Sequence, residues 1–262
     1  ISKELIENKD ISAVAISSDE HLIVMMNEED HIRAQCIYNG FNLFKPYREI
    51  KALDEKLLTE IDIAYNDNLG FITASPSNLG TGMRASVMLF LPALERRGEL
   101  EIMKKEVLSN NCTIRGLYGE GSQNYGGFYQ ISNQNSLGKS EEEILDEVSD
   151  QIYSICEMEM SAREDILSSD HLKLKDEIYR AYGVLKECAM LDEVEMIKLL
   201  SLVKFGGALG FFKINEKEFE KLFYEGSSAN LKELTNFFDL KKEEALRAEY
   251  INKKIGELVA KD

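Results

Sequence analysis

Three short segments carry the residue types that chemistry needs. Asn27-Glu28-Glu29-Asp30-His31-Ile32-Arg33 packs three carboxylates, an imidazole and a guanidinium between two runs that read as strands. By composition alone it is a solvated acidic turn. Ser75-Pro76-Ser77-Asn78-Leu79-Gly80-Thr81-Gly82-Met83-Arg84-Ala85-Ser86 is a glycine-bearing loop leading into Arg84 to Leu94, a stretch expected to be helical. A loop feeding a helix N-terminus favours anions, and its plain alternative is an ordinary loop and cap. Arg115-Gly116-Leu117-Tyr118-Gly119-Glu120-Gly121-Ser122 leads from a strand into a glycine-rich run and sets one Arg and one Glu at opposite ends of a turn. Taken singly, each segment has an ordinary structural explanation.

The elements that must position these residues follow from hydrophobic period. Ile11 to Ile16, His21 to Met26 and Arg33 to Tyr38 are short β-rich runs, with Ser17 to Glu20 as a polar turn, and predict a meander of antiparallel strands. Ile50, Leu53, Leu57, Leu58 and Ile61 recur at helical spacing within Leu43 to Ala64, and Asn66 to Gly70 supplies the stop. A short strand at Phe71 to Thr73, a helix near Glu99 to Leu108, and strands at Thr113 to Leu117 and Phe128 to Ser132 follow, the last two joined by Tyr118 to Gly127. Beyond Lys139 the texture turns helical. Ser140 with Glu143 forms a capping box, and Glu141 to Ser168, Leu172 to Glu187, Asp192 to Val203, Glu216 to Tyr224 and Asn230 to Lys254 keep helical period. Strands first and helices after predict an α+β fold, an antiparallel sheet flanked by helices, followed by an all-α helical extension. The boundary is expected between Ser161 and Asp170, giving portions 1–165 and 166–262.

Together the segments say more than each does alone. NEEDHIR, SPSNLGTGMRAS, RGxxGE and the later Tyr129-Gln130-Ile131-Ser132-Asn133 resemble, in residue type, order and spacing, the catalytic domain of the phosphagen (guanidino) kinase family, from about Ile11 to Leu145. Met88 and Gln130 stand where the small-metabolite kinases of animals usually carry His and Asp. With Gly116-Leu117-Tyr118-Gly119-Glu120-Gly121-Ser122 and the extension around Arg180-Ala181-Tyr182-Gly183-Val184-Leu185, they make the chain similar to the bacterial protein arginine kinase branch.

The resemblance implies transfer of the γ-phosphoryl group of ATP, with Mg²⁺, to arginine side chains of proteins. It implies Glu29 and Glu120 as the carboxylates that hold the substrate guanidinium, with Glu29 taking the proton, and Arg33, Arg84 and Arg115 as the phosphate-binding arginines. Glu28, Asp30, His31 and Asn78 are expected to support the loops. The branch also implies exposed arginines of other proteins as substrates, an activator protein and a Clp-type protease as partners in stress response, and a possible homodimer.

Two departures accompany the resemblance. Ser75 stands where the family commonly has a reactive Cys; a hydroxyl stays neutral near pH 7, so reduced turnover is expected. The family's upstream Ser-x-Arg-x-Arg segment has no counterpart between Ile1 and Asn27, and with Ile1 in place of an initiator Met the chain is expected to be a fragment with weakened activity. Two alternatives share the same residues: a non-catalytic module binding guanidinium or phosphoarginine, and a kinase of a free guanidino metabolite. In the extension, the resemblance implies a regulatory phosphoarginine pocket near Ser201 to Gly206, but Lys204 replaces an expected Arg and Leu202 an expected acid. Lys lacks the bidentate fork, so the run is expected to be simple helix core.

Composition sets the outer bounds. With 262 residues, 44% hydrophobic and 30% charged, the chain can bury a core, which excludes wholesale disorder. No run nears the roughly 18 apolar residues of a membrane span, and the chain is expected to be cytoplasmic. A net charge of -16 repels phosphate backbones and anionic lipid, so nucleic acid and membrane are not expected partners. The four cysteines form no CxxC and the three histidines no HExxH, so neither a disulfide framework nor a zinc site is expected.

Overall fold

The computed structural model describes residues 3–7, 9–116, 126–235 and 240–261. After a short helix α1 (Lys3–Glu7) come β1 (Ala13–Ile16), β2 (Leu22–Met26) and β3 (Ile32–Cys36), then α2 (Phe44–Glu60) and the two-residue strands β4 (Tyr65–Asn66) and β5 (Gly70–Phe71). A 3-10 turn at Pro76–Asn78 precedes β6 (Ser86–Phe90), followed by α3 (Pro92–Arg97), α4 (Leu100–Ser109), β7 (Cys112–Gly116) and β8 (Phe128–Asn133). The remainder is α5 (Glu141–Glu187), α6 (Glu193–Ala208), β9 (Phe212–Ile214), α7 (Glu216–Glu225), α8 (Ser228–Thr235), α9 (Leu240–Leu258) and β10 (Val259–Lys261).

The chain forms two compact units. One comprises Ile1–Met88, Ile102–Ile114 and Gln130–Ile155; the other Leu89–Glu101, Arg115–Tyr129 and Cys156–Asp262.

In the first unit, β1, β2 and β3 form the expected antiparallel meander, with Ala13 opposite Met26 and Leu22 opposite Cys36. Met25 is its buried residue, while all four residues of β1 are exposed. In the second half of this unit Met103, Val107, Cys112, Ile131, Ile144, Val148, Ile152 and Ile155 are buried as core. The capping box opens α5: Ser140 N donates to Glu143 Oε2 at 2.7 Å, and Glu143 N donates to Ser140 Oγ at 3.3 Å.

The stretch Arg84 to Leu94, expected as a helix, is instead the strand β6 followed by α3. Ser86-Val87-Met88-Leu89-Phe90 is apolar on both faces, and pairing with β8 overrides the local helical spacing. The two strands run antiparallel: Asn133 N donates to Ala85 O at one end and Leu91 N to Gly127 O at the other. Helix begins only at Pro92, so Arg84 enters a strand and no helix N-terminus lies at the loop.

The second unit is mostly helical. Leu174, Ile178, Ala181 and Leu185 of α5 and Met196, Leu200, Val203 and Phe205 of α6 are buried, together with Phe212, Phe219, Leu222, Ile251 and Ile255. The extension also holds a small antiparallel pair, β9 with β10, which helical period did not reveal because each strand is three residues long. Helix α5 has one break, at Asp170, with φ -139° and ψ 27°. Arg247 is 1% exposed and all three of its guanidinium nitrogens donate: Nε to Gly226 O, Nη1 to Leu191 O, and Nη2 to Ser228 Oγ and Glu243 Oε1. Helix α3 lacks a capping side chain of its own at Leu91; Glu159 of α5 accepts from Ala93 N at 3.1 Å and Leu94 N at 3.0 Å, and is itself held by Arg163 Nε at 2.8 Å. A carboxylate at a helix start satisfies its unpaired N–H groups and the positive end of its dipole.

Candidate active site

The acidic segment is the connection between β2 and β3, folded back tightly. Asn27 N donates to His31 O at 3.0 Å, Asn27 takes a left-handed φ of 55°, and Asn27 Nδ2 reaches Ile11 O at 2.8 Å. Asn tolerates that backbone because its short amide bonds locally. Within the turn the acids separate by environment. The Glu28 side chain is 1% exposed and accepts from Arg33 Nη1 at 2.9 Å and from Glu29 N at 2.9 Å. Glu29 is exposed, and among the described residues its carboxylate accepts no hydrogen bond. His31 Nδ1 lies 3.2 Å from Asn27 Oδ1, a contact within the turn.

Asp30 faces a different part of the chain. Its Oδ1 accepts from Ala74 N at 2.6 Å and its Oδ2 from Asn78 Nδ2 at 3.5 Å, tying the acidic turn to the serine-bearing loop. In that loop Ser75 Oγ and Ser77 Oγ are 2.8 Å apart, and Thr73 Oγ1 donates to Ser75 O at 2.8 Å. The loop is pinned further on by Ser136 Oγ, which donates to Leu79 O at 2.7 Å, and by Gly80. A Cβ at Gly80 would stand 2.6 Å from Ser136 O, and φ is +101°, so only glycine fits.

Arg84 is exposed, and its Nη2 donates to the buried Ser132 Oγ at 2.7 Å. One amide brackets it: Asn133 Oδ1 accepts from Ala85 N at 2.8 Å while Asn133 Nδ2 donates to Met83 O at 3.1 Å. The Ile-Ser-Asn motif therefore holds both the guanidinium of Arg84 and the backbone either side of it. Sequence reasoning noticed those residues as a signature and gave them no task; two polar residues ending an otherwise apolar strand were the available signal.

In the first unit, then, the structure joins Glu28 to Arg33, Asp30 to Ala74 and Asn78, and Arg84 to Ser132. Arg33 keeps a half-exposed side chain while one N–H is engaged by Glu28. Arg115 lies in the second unit, near the end of β7, and its buried Nε has no hydrogen-bond partner among the described residues. Glu120 lies outside the described residues, as does most of Tyr118 to Gly127. No group of three His, Cys, Asp or Glu able to hold a metal ion occurs among the described residues. In the extension, Lys204 donates to Glu220 Oε1 at 2.6 Å, and Leu200, Val203 and Phe205 are buried as helix core.

Comparison with known proteins gives these contacts a setting. The family described as ATP:guanido phosphotransferase, C-terminal catalytic domain, matches residues 1–162, and that described as Protein-arginine kinase McsB C-terminal domain matches residues 171–262. The chain is 41% identical over 222 residues to a protein-arginine kinase of Clostridium botulinum, covering 85% of this chain and 66% of that protein. It is 40% identical over 257 residues to one of Clostridium acetobutylicum, covering 97% and 76%. For that of Bacillus subtilis the figures are 41% over 198 residues, 76% and 54%. The chain thus spans from about half to three quarters of the length of these relatives. Among solved structures, the duplicated taurocyamine kinase of Schistosoma mansoni with bound transition state analog components superposes with a TM-score of 0.55 at 30% identity, over 64% of this chain and 24% of that one. Lombricine kinase gives 0.50 at 31% identity, over 55% and 40%.

Proposed function

Because the chain belongs to the ATP:guanido phosphotransferase family, we propose that it is the greater part of a protein-arginine kinase, transferring the γ-phosphoryl group of MgATP to arginine side chains of proteins. Forty per cent identity to protein-arginine kinases over 97% of this chain favours protein arginine over a free guanidino metabolite.

The chemistry sets the requirements. A guanidinium is a poor nucleophile, since its lone pairs are delocalised and its pKa exceeds about 12, so attack needs orientation, charge pairing and a proton acceptor. In this reading Glu29 and Glu120 each face the planar cation, and Glu29 accepts the proton as nitrogen attacks phosphorus. Arg33, Arg84 and Arg115 neutralise the charge that develops on the phosphoryl oxygens and on departing ADP. Mg²⁺, carried on the nucleotide, supplies further neutralisation there. Glu28 fixes Arg33, Asp30 fixes the Ser75 loop, Asn78 anchors Asp30, and His31 braces the turn. Ser75 offers a hydrogen bond near the substrate where the family commonly has a thiolate.

The observation that carries the assignment is the pair of hydrogen bonds that Asp30 accepts from Ala74 N and Asn78 Nδ2, which ties the turn bearing Glu29 to the loop bearing Ser75 across more than 40 residues of chain. On the family relation we also take residues 1–165 as the catalytic portion and 166–262 as a helical portion. On the same basis we assign a cytoplasmic role in stress response, an activator protein, delivery of marked proteins to a Clp-type protease, and a homodimer.

The test is phosphoarginine mass spectrometry of a mixed protein substrate incubated with ATP and the full-length parent. Transfer by the wild type and its loss in Glu29→Gln support the assignment. Binding of phosphoarginine without transfer by the wild type would make it a binding module, and faster transfer to free arginine than to protein would make it a metabolite kinase.

A further inference from the structure

Arg84 is held at both ends by two neighbouring residues of β8. The peptide groups either side of its Cα are bonded to a single side-chain amide: Ala85 N donates to Asn133 Oδ1 at 2.8 Å, and Met83 O accepts from Asn133 Nδ2 at 3.1 Å. Holding both planes fixes φ and ψ of the arginine, since each torsion turns against one of them. The amide is itself steadied, because Asn133 N donates to Ala85 O at 3.3 Å and Asn133 Nδ2 also reaches Asn135 O at 3.2 Å. At the far end of the side chain, Arg84 Nη2 donates to Ser132 Oγ at 2.7 Å. Ser132 is 0% exposed, whereas Arg84 is exposed. The next rung, Gln130 Nε2 to Ser86 Oγ at 3.0 Å, falls two residues along each strand, as antiparallel alternation on one face requires. All of these residues lie in the first unit.

We propose that Ser132 is a positioning residue for phosphoryl transfer: its buried hydroxyl sets the direction in which the Arg84 guanidinium meets the phosphates of ATP. The inference rests on the role given to Arg84 above. An arginine held only at its backbone must still order its side-chain torsions before it can neutralise charge, and that ordering opposes the reaction. Anchoring one nitrogen on a hydroxyl buried in a sheet orders the tip beforehand. A cation already in place needs no rearrangement as charge develops on the phosphoryl oxygens. The bond has a charged donor and is of the stronger kind, so its loss is felt at the guanidinium while Asn133 keeps the backbone where it was.

The experiment uses the full-length parent with Ser132→Ala, Ser132→Thr, Arg84→Ala and the double variant Ser132→Ala with Arg84→Ala. Ser149→Ala, whose hydroxyl returns to Leu145 O within its own helix, is the control. Ser132→Ala is expected to lower kcat for protein-arginine phosphorylation roughly tenfold, the lower end of what a hydrogen bond to a charged group is worth, with KM for the protein substrate unchanged. Ser132→Thr keeps the hydroxyl and the rate, and Ser149→Ala changes nothing. Arg84→Ala loses roughly a hundredfold or more, and on that background Ser132→Ala costs less than about twofold further, because the serine acts only through the arginine. A purely structural serine would cost the same factor on either background. An unchanged kcat in Ser132→Ala, the same loss with and without Arg84, or equal loss in Ala and Thr variants of matched urea midpoint overturns the proposal. Full activity in Arg84→Ala overturns the role of Arg84 and the proposal with it. Absence of transfer by the wild type would instead bring down the kinase assignment itself, so the failures are told apart.

Discussion

Asp30 is a connector, whereas Glu29 one position earlier is left exposed, and the contrast predicts different variant behaviour. Glu29→Gln should reduce transfer by about 10²- to 10⁴-fold, the usual worth of a general base, without moving the urea midpoint, because the side chain is exposed and accepts no hydrogen bond among the described residues. Asp30→Ala should do the reverse in kind. Losing the acceptor for Ala74 N is expected to cost about 1–2 kcal/mol in stability by urea unfolding and to lower kcat through the displaced Ser75 loop. Ser75→Cys should raise turnover, the gain growing with pH as thiolate forms; a flat ratio of variant to wild type from pH 6 to 9 would refute a thiolate role. At this scale the acidic turn and the serine-bearing loop were legible as segments, and Asp30 joins the two. The sequence motifs were silent on Ser132 and Asn133, whose tasks depend on a strand partner 48 residues away, a distance at which local pattern carries no signal.

Elements were legible where one period dominates. The meander β1–β3, the helix α2 and the capping box of α5 all follow from alternation, helical spacing and local side-chain bonds. The exception is Arg84 to Leu94, because an apolar run of that length satisfies strand and helix alike until a partner strand is known. Contact between α2 and β3 was likewise invisible. There Glu49 of α2 accepts from Tyr38 Oη at 2.6 Å and from Cys36 Sγ at 3.4 Å, and Lys45 sits 3.7 Å from the Tyr38 ring centroid. Burial, then the Glu49 carboxylate, pushes the Cys36 thiol up to about 11 from 9.0. The hydrogen bond to Glu49 chiefly raises Tyr38 to about 12. Both groups therefore hold their protons more tightly folded than unfolded, so their joint contribution is fully present below about pH 9 and is lost as pH rises through about 11 for Cys36 and about 12 for Tyr38. The denaturant midpoint should fall over that interval, and Cys36→Ser with Tyr38→Phe should flatten the fall.

At the scale of the molecule, a net charge of -16 complements the cationic arginines proposed as its substrates. Its kcat/KM on a basic protein should decline as salt rises from about 0.05 to 0.5 M while kcat holds, since screening weakens steered encounter and leaves the bound complex alone. The helical unit has its own keystone in Arg247; Arg247→Leu should cost about 3–5 kcal/mol in urea, as for a buried ion pair deprived of one partner. The loan of Glu159 to the start of α3 has a broader effect. A short helix whose first N–H groups bond a carboxylate 66 residues downstream loses those bonds whenever it slides, tilts or frays away from the long helix supplying it. Separating α3 from the part of α5 around Glu159 must therefore break both bonds, which couples the start of the short helix to that one turn of the long one.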